Sequence, residues 1–410
     1  MALTLRKNTT TRASTALVLT ALLAAGCAQG AADTSAPPGN PPTATPHGYV
    51  EGAKEAAEQQ SRLLLGDPGS GDTRVLDLIT GEAHRTADVA GATRLASDGR
   101  FGTPRGTHVV DTGAWTVDHG DHVHYYRAAI RDVGDLPVGP HAEVRSGATV
   151  TAVTGRDGRT RLYDRTELED GEVPAARTLD GVHSGPVVPY GEHLLAFTGD
   201  GRSKQLTVYD REGGRVASPD AECEEPRGDA VTRRGLVLGC ADGALLVSAD
   251  DGAFTAERIP YGEDVPEKER ATAFRHRAGS DTLTAPAGDR AVWVLDVTDR
   301  TWERVETGPV VAANTAGEGS ALLVLETDGA LHGYDVATGR ETSTTEPLLT
   351  TPGKTGTGAG GPVIEVDRSR AYVNDPAGKR VFEVDYNDGL RIARTFDLDI
   401  EPRLMTETGR

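Results

Sequence analysis

Short apolar runs that end in aspartate, each followed by a glycine-bearing turn, recur along the chain. Val75-Leu76-Asp77-Leu78-Ile79-Thr80-Gly81 is the first, and His108-Val109-Val110-Asp111-Thr112-Gly113 the second. The pattern returns at 161–164, 207–213, 292–296, 332–339 and 382–386, with a degenerate copy at 245–250. Runs this short are of strand length, not helix length. Between them lie further short apolar stretches such as Leu194-Leu195-Ala196-Phe197, Leu236-Val237-Leu238 and Ala371-Tyr372-Val373. Asp-Gly pairs at Asp157, Asp200, Asp242, Asp251 and Asp328 punctuate the series. Asp-Gly favours the hairpin turns whose twist matches that of the flanking strands. About eight copies, roughly 44 residues apart, predict an all-β chain folded as a single β-propeller of eight blades, or seven if one copy is spurious. The recurrent aspartate is expected to cap the turn after its strand by accepting backbone N–H bonds. A single short helix is expected within 51–65, with Leu63 to Leu65 open to a strand reading.

The N-terminus stands apart from this pattern. Arg6, Lys7 and Arg12 precede the apolar run Ala16-Leu17-Val18-Leu19-Thr20-Ala21-Leu22-Leu23-Ala24-Ala25, and no acid lies among them. A basic segment and a short apolar run make a secretory signal; the run is too short for a stable membrane span. It closes in Leu23-Ala24-Ala25-Gly26-Cys27, which resembles a bacterial lipobox. That resemblance implies cleavage after residue 26 and lipidation of Cys27, the alternative being an ordinary signal with an incidental cysteine. Residues 27–46 are Ala-, Gly-, Ser-, Thr- and Pro-rich and read as a flexible tether that cannot bury a core. The propeller domain is then 47–410, exported and held by its lipid to the outer face of the cytoplasmic membrane.

The formal charge of −19 becomes about −22 once the signal is removed. A chain so acidic attracts cations and repels nucleic acid. Of three cysteines, lipidation accounts for Cys27. Cys223 and Cys240 remain, an even number in an oxidising compartment, and are read as a disulfide; two reduced buried thiols are the alternative.

Candidate chemistry concentrates in one stretch, Asp118-His119-Gly120-Asp121-His122-Val123-His124-Tyr125-Tyr126, which holds three of the chain's 11 histidines. On a strand, His122 and His124 face the same way, so both imidazoles can reach one ion. Imidazole with carboxylate suits Zn²⁺. His119 and Asp121 stand beside them as further ligands. Asp118 or Asp121 could orient a ring by accepting its second N–H. Against this stands a hydrated loop that binds nothing. Metal binding needs neutral imidazole, so zinc affinity should fall below about pH 6.5.

Enzyme motifs are sparse. There is no G-x-S-x-G and no H-E-x-x-H, and Gly353-Lys354-Thr355 lacks the leading glycine of a phosphate-binding loop, Leu348 standing there instead.

Taken together, His47-Gly48-Tyr49-Val50-Glu51-Gly52-Ala53, Val75 to Leu78, His119 to Tyr126, Cys223 with Gly239-Cys240-Ala241-Asp242-Gly243, and Ala371-Tyr372-Val373-Asn374-Asp375-Pro376 resemble the exported β-propeller zinc metallochaperones that work beside zinc ABC importers. The resemblance implies a monomeric, non-enzymatic protein that binds Zn²⁺ outside the membrane and delivers it to the importer's solute-binding lipoprotein. It adds His141 and His183 as ligands converging on the ion of His122 and His124. The chain departs from that family at Arg145, Ser184 and Arg227, where histidines are common; an arginine cannot ligate zinc. Two other readings remain: a metal-free protein-interaction propeller and a metal-dependent propeller hydrolase.

Overall fold

The computed structural model describes residues 51–410 except 87, 89, 90, 93, 94, 120, 140, 141, 200, 201, 352 and 356–359, and omits the Arg105 side chain. The signal, the tether, Cys27, His47 and His141 therefore lie outside the described residues.

The apolar runs form strands at the expected places. Val75 and Leu76 lie in Thr73–Asp77, Val292 to Leu295 in Ala291–Asp296, and Ala371–Asp375 and Arg380–Asp385 are consecutive strands. All the named strand pairings are antiparallel, most of them between consecutive strands, and they assemble into nine small sheets of three to five strands. Eight of these sheets follow one another in chain order. The first is closed by the last strand of the chain: Leu404–Thr408 pairs with Arg62–Gly66, Arg62 opposite Thr408. One ladder thus joins the last strand of the chain to Arg62–Gly66, which is paired on both sides, by Leu404–Thr408 and by Thr73–Asp77.

The core lies between successive sheets. Val292, Val294 and Val305 of one sheet pack on Val310, Leu322 and Val324 of the next. Leu323, Leu325 and Leu331 likewise meet Ile364, Val373 and Val384. Each fully covered aliphatic side chain contributes about 1.5–3 kcal/mol, so β-branched and leucine side chains hold the sheets together with little aromatic content. Aspartates at the strand ends do cap turns: Asp77 accepts from Ile79 and Thr80, Asp296 from Thr298 and Asp299, and Asp335 from Thr338. Cys223 and Cys240 are joined, with Cα atoms 5.3 Å apart. The bond links strand Glu222–Glu224, which pairs in the fourth sheet, to strand Leu236–Cys240 of the fifth.

Among the described residues the one α-helix is Arg165–Asp170, capped by Asp164 and ended by Gly171 at φ 88°. The helix expected within 51–65 does not form. Lys54–Ala56 is a strand and Arg62–Gly66 another. The alanines that suggested a helix are outweighed by a partner strand about seventy residues further on, which no local propensity reveals.

That partner belongs to the ninth sheet, the only one outside the succession. The second sheet contains Phe101–Gly102, His108–Asp111 and Arg131–Asp135. Between the last two, the chain leaves the sheet as a hairpin, Ala114–Asp118 and Val123–Arg127, and Lys54–Ala56 adds to its outer edge with Glu55 opposite Tyr126. Gly113 makes the departure at φ 68°; a Cβ there would lie 2.6 Å from the Ala128 carbonyl oxygen. Paired charges fasten the hairpin's base. Arg127 meets buried Asp77 at 2.8 Å, and Arg100 and Arg131 meet buried Asp111 at 2.9 and 2.8 Å. Burial works against the Asp77 charge, yet the Thr80 N–H, Arg127 and Arg62 outweigh it, so its pKa lies below the usual carboxylate range. Arg100 also lies 4.0 Å over the Trp115 ring, which stacks on Tyr126.

Candidate metal centre

The free end of this hairpin carries the histidine cluster. His119 follows strand Ala114–Asp118, His122 precedes strand Val123–Arg127, and His124 lies within it, opposite Val117. A backbone bond from the His119 N–H to the His122 carbonyl, 3.0 Å, draws the two flanks of the turn together. The three rings meet at the tip. His119 and His122 stack at 4.8 Å between centroids, and His124 stands edge-on to both, at 5.4 and 4.9 Å. One ligand nitrogen from each ring lies within 4.8 Å of the others. Zinc held at 2.0–2.1 Å by imidazoles in a tetrahedron places its nitrogens about 3.3 Å apart. Ligation of one ion by all three would need the rings to rotate toward one another.

Two of the rings are already set for ligation. Asp121 accepts a hydrogen bond from His122 Nδ1 at 2.6 Å, and Glu55 accepts one from His124 Nδ1 at 2.7 Å. An ionised carboxylate only accepts, so Nδ1 carries the proton and each neutral ring keeps its Nε2 lone pair for a cation. This is the carboxylate–histidine arrangement that orients zinc ligands and raises their basicity. The cluster is open: His119 and His122 are exposed and His124 is partly covered.

The sequence-derived set divides on this geometry. His119, His122 and His124 come together. Asp121 lies beside them but bonds to His122 and is not one of the three grouped donors. Asp118 ends its strand opposite Val123. His183 is elsewhere, between the third and fourth sheets: it is buried, its Nδ1 is 3.1 Å from the Thr160 hydroxyl, and its ring meets Tyr209 edge-on. Burial lowers its pKa. His183 is thus not brought to the three-histidine group, and His141, the other expected ligand, lies outside the described residues. The positions that depart from the metallochaperone pattern are occupied by other bonds. Arg145 grips Asp229 with two contacts of 2.7 Å, Ser184 donates to the Gly199 carbonyl, and Arg227 pairs with Glu267.

Glu55 was not visible from the sequence, because its approach to His124 depends on a strand pairing across 69 positions. A second group went unnoticed as well: Glu326, Asp328 and His332 also bring one donor atom each within 4.8 Å. The sequence placed Asp328 in a hairpin turn and His332 in a repeat, and nothing local marked them as ligands.

Sheets in succession, closed by pairing of the last strand with an early one, with an imidazole cluster on an inserted hairpin, define a β-propeller with a candidate metal centre. Among solved structures, AztD from Citrobacter koseri has this fold. The apo form matches at a TM-score of 0.69 and 18% identity over 85% of this chain and 98% of that one; a second AztD crystal structure matches at 0.68 and 19%, over 86% and 98%. The dihydro-heme d1 dehydrogenase NirN, in complex with DHE, shares it more distantly, at a TM-score of 0.54 and 15% identity over 86% of this chain and 76% of that one. No protein-family model matches the sequence, and neither does any curated protein.

Proposed function

We propose that this protein is an exported zinc metallochaperone, anchored through Cys27, that loads Zn²⁺ at His119, His122 and His124 and delivers it to the solute-binding lipoprotein of a zinc ABC importer. The observation that carries the reading is the exposed triad in which two rings present Nε2 because Asp121 and Glu55 hold Nδ1. The sequence resemblance to the exported β-propeller zinc metallochaperones points the same way, and the propeller fold shared with AztD is compatible with it.

The geometry suits carriage better than storage or catalysis. Three protein ligands leave one position of a zinc tetrahedron free. An incoming histidine or carboxylate of the acceptor can take that position before any hairpin ligand leaves, so the ion never passes free through water. Carboxylates at Glu55, Asp118 and Asp121 surround the tip and favour cation capture at low ionic strength. No covalent bond is made or broken; the protein binds, presents and releases, as a monomer.

The test is a transfer assay. Zinc-loaded protein is mixed with the apo solute-binding lipoprotein and an excess of a chelator that traps free zinc. Direct handover fills the acceptor despite the chelator, and His122→Ala/His124→Ala removes that protected transfer. Acceptor loading that the chelator fully suppresses would overturn the proposal.

A further inference from the structure

We propose that Glu326, Asp328 and His332 form a second divalent-cation site, independent of the hairpin, with a harder donor set suited to Zn²⁺ and next to Mn²⁺. The three residues lie on one hairpin of the seventh sheet: strand Leu322–Glu326, the turn at Asp328-Gly329, and strand Leu331–Tyr334. His332 Nε2 is hydrogen-bonded to Asp328 Oδ2 at 3.2 Å and lies 3.8 Å from Glu326 Oε2; a bound ion would displace the Nε2 proton and leave Nδ1 to carry one. Donors about 2.1 Å from one tetrahedral ion are about 3.4 Å apart, and these two separations bracket that value.

Each carboxylate is fixed by one oxygen and presents the other. Glu326 Oε1 accepts from the Tyr334 hydroxyl at 2.5 Å and from the Gly308 N–H at 2.9 Å, which leaves Oε2 toward the imidazole. Gly308 permits this, because a Cβ there would fall 1.5 Å from Oε2. Asp328 Oδ1 accepts from the Ala330 N–H at 2.9 Å and leaves Oδ2 toward the same nitrogen. On the far side of the ring, buried Nδ1 finds no hydrogen bond but lies 3.3 Å from Glu341 Oε1. A small turn of the ring makes Glu341 the acceptor that metal-bound histidines commonly have.

Charge supplies the second argument. Glu326 is 6% exposed, and its neighbours Asp328 and Glu341 add two more carboxylates around a single imidazole. Among the described residues no arginine or lysine pairs with any of the three; their one basic partner is His332. A buried carboxylate is ordinarily matched by a cation or a metal. Glu326 is the buried one of the three, Asp328 and Glu341 being 56% and 45% exposed. A divalent ion would match Glu326 and occupy the space on which Nε2, Oε2 and Oδ2 converge.

The test uses the full exported chain with His119→Ala, His122→Ala and His124→Ala, which removes the hairpin triad. Titrated with Zn²⁺ and, separately, with Mn²⁺ followed by electron paramagnetic resonance, it should still bind about one equivalent of ion. Adding Asp328→Asn, an exposed change that spares the fold, should weaken this binding at least tenfold, and adding Glu326→Gln should abolish it. Glu341→Gln should cost about 10- to 100-fold. No ion bound by the triple variant, or ion retained unchanged in the Asp328→Asn form, would overturn the inference. Zinc bound by His332→Ala in the otherwise unaltered chain reports on the hairpin alone, so either site can fail without the other.

Discussion

Removing Glu55 tests whether the hairpin histidines are arranged for metal or merely crowded together. Glu55 accepts from His124 Nδ1 at 2.7 Å, whereas Asp121 accepts from His122 Nδ1 at 2.6 Å. Loss of such a carboxylate behind a metal-bound imidazole typically lowers affinity 10- to 100-fold, about 1.4–2.7 kcal/mol. Solvent decides where in that range each pair falls. The His124 and Glu55 side chains are 22% and 48% exposed, while His122 and Asp121 are 57% and 82% exposed. Screening discounts both, and the second pair more. Glu55→Ala should therefore weaken zinc binding about tenfold and Asp121→Ala about threefold at most. Glu55→Gln keeps a neutral acceptor of roughly half the strength and should fall between parent and Glu55→Ala. Competition against a chelating dye, in the His332→Ala background so that one site is read, measures all three. Glu55→Ala within twofold of the parent, or Asp121→Ala weaker than Glu55→Ala, would refute the reasoning.

Three further outcomes follow from the fold. Glu407 is almost fully covered, and burial pushes its pKa from 4.5 up to about 8, with Arg410 pulling the other way. A folded-state pKa above the unfolded one contributes stability below about pH 4.5 that is lost as pH rises through 8. Thermal melts should show Glu407→Gln gaining on the parent by several degrees between pH 5 and pH 8.5, and a constant offset across that window would contradict the burial argument. Cys223→Ser/Cys240→Ser opens a loop of 17 residues and should cost about 3 kcal/mol in urea unfolding; unchanged stability would mean that the bond constrains little. His183→Gln should leave zinc affinity within twofold of the parent in dye competition while lowering the melting temperature, because the ring is packed between sheets and not at the hairpin.

The repeat was legible because each blade-like unit states itself locally. An apolar run, an aspartate and a glycine turn fix one strand and its exit, and Asp77, Asp296 and Asp335 cap their turns as their positions imply. The triad was legible for the same reason: His119, His122 and His124 fit within one hairpin turn, so strand alternation nearly suffices to gather them. What escaped was whatever depends on distant pairing. Lys54–Ala56 read as helix because its partner strand is Val123–Arg127, and with that strand went Glu55. His183 shares a sheet-to-sheet interface with Tyr209 rather than the tip, a placement that spacing cannot encode. Glu326 and Glu341 approach His332 through ladder register, where residues far apart in pattern become neighbours across strands.

X-ray absorption at the zinc edge, on protein carrying one equivalent of Zn²⁺, tests the central claim most directly. Three imidazoles bound to the ion, falling to one or none in the His122→Ala/His124→Ala variant, is the result expected of a hairpin that carries zinc. A spectrum with one imidazole or none in the parent, or one that the double substitution leaves unchanged, would contradict it.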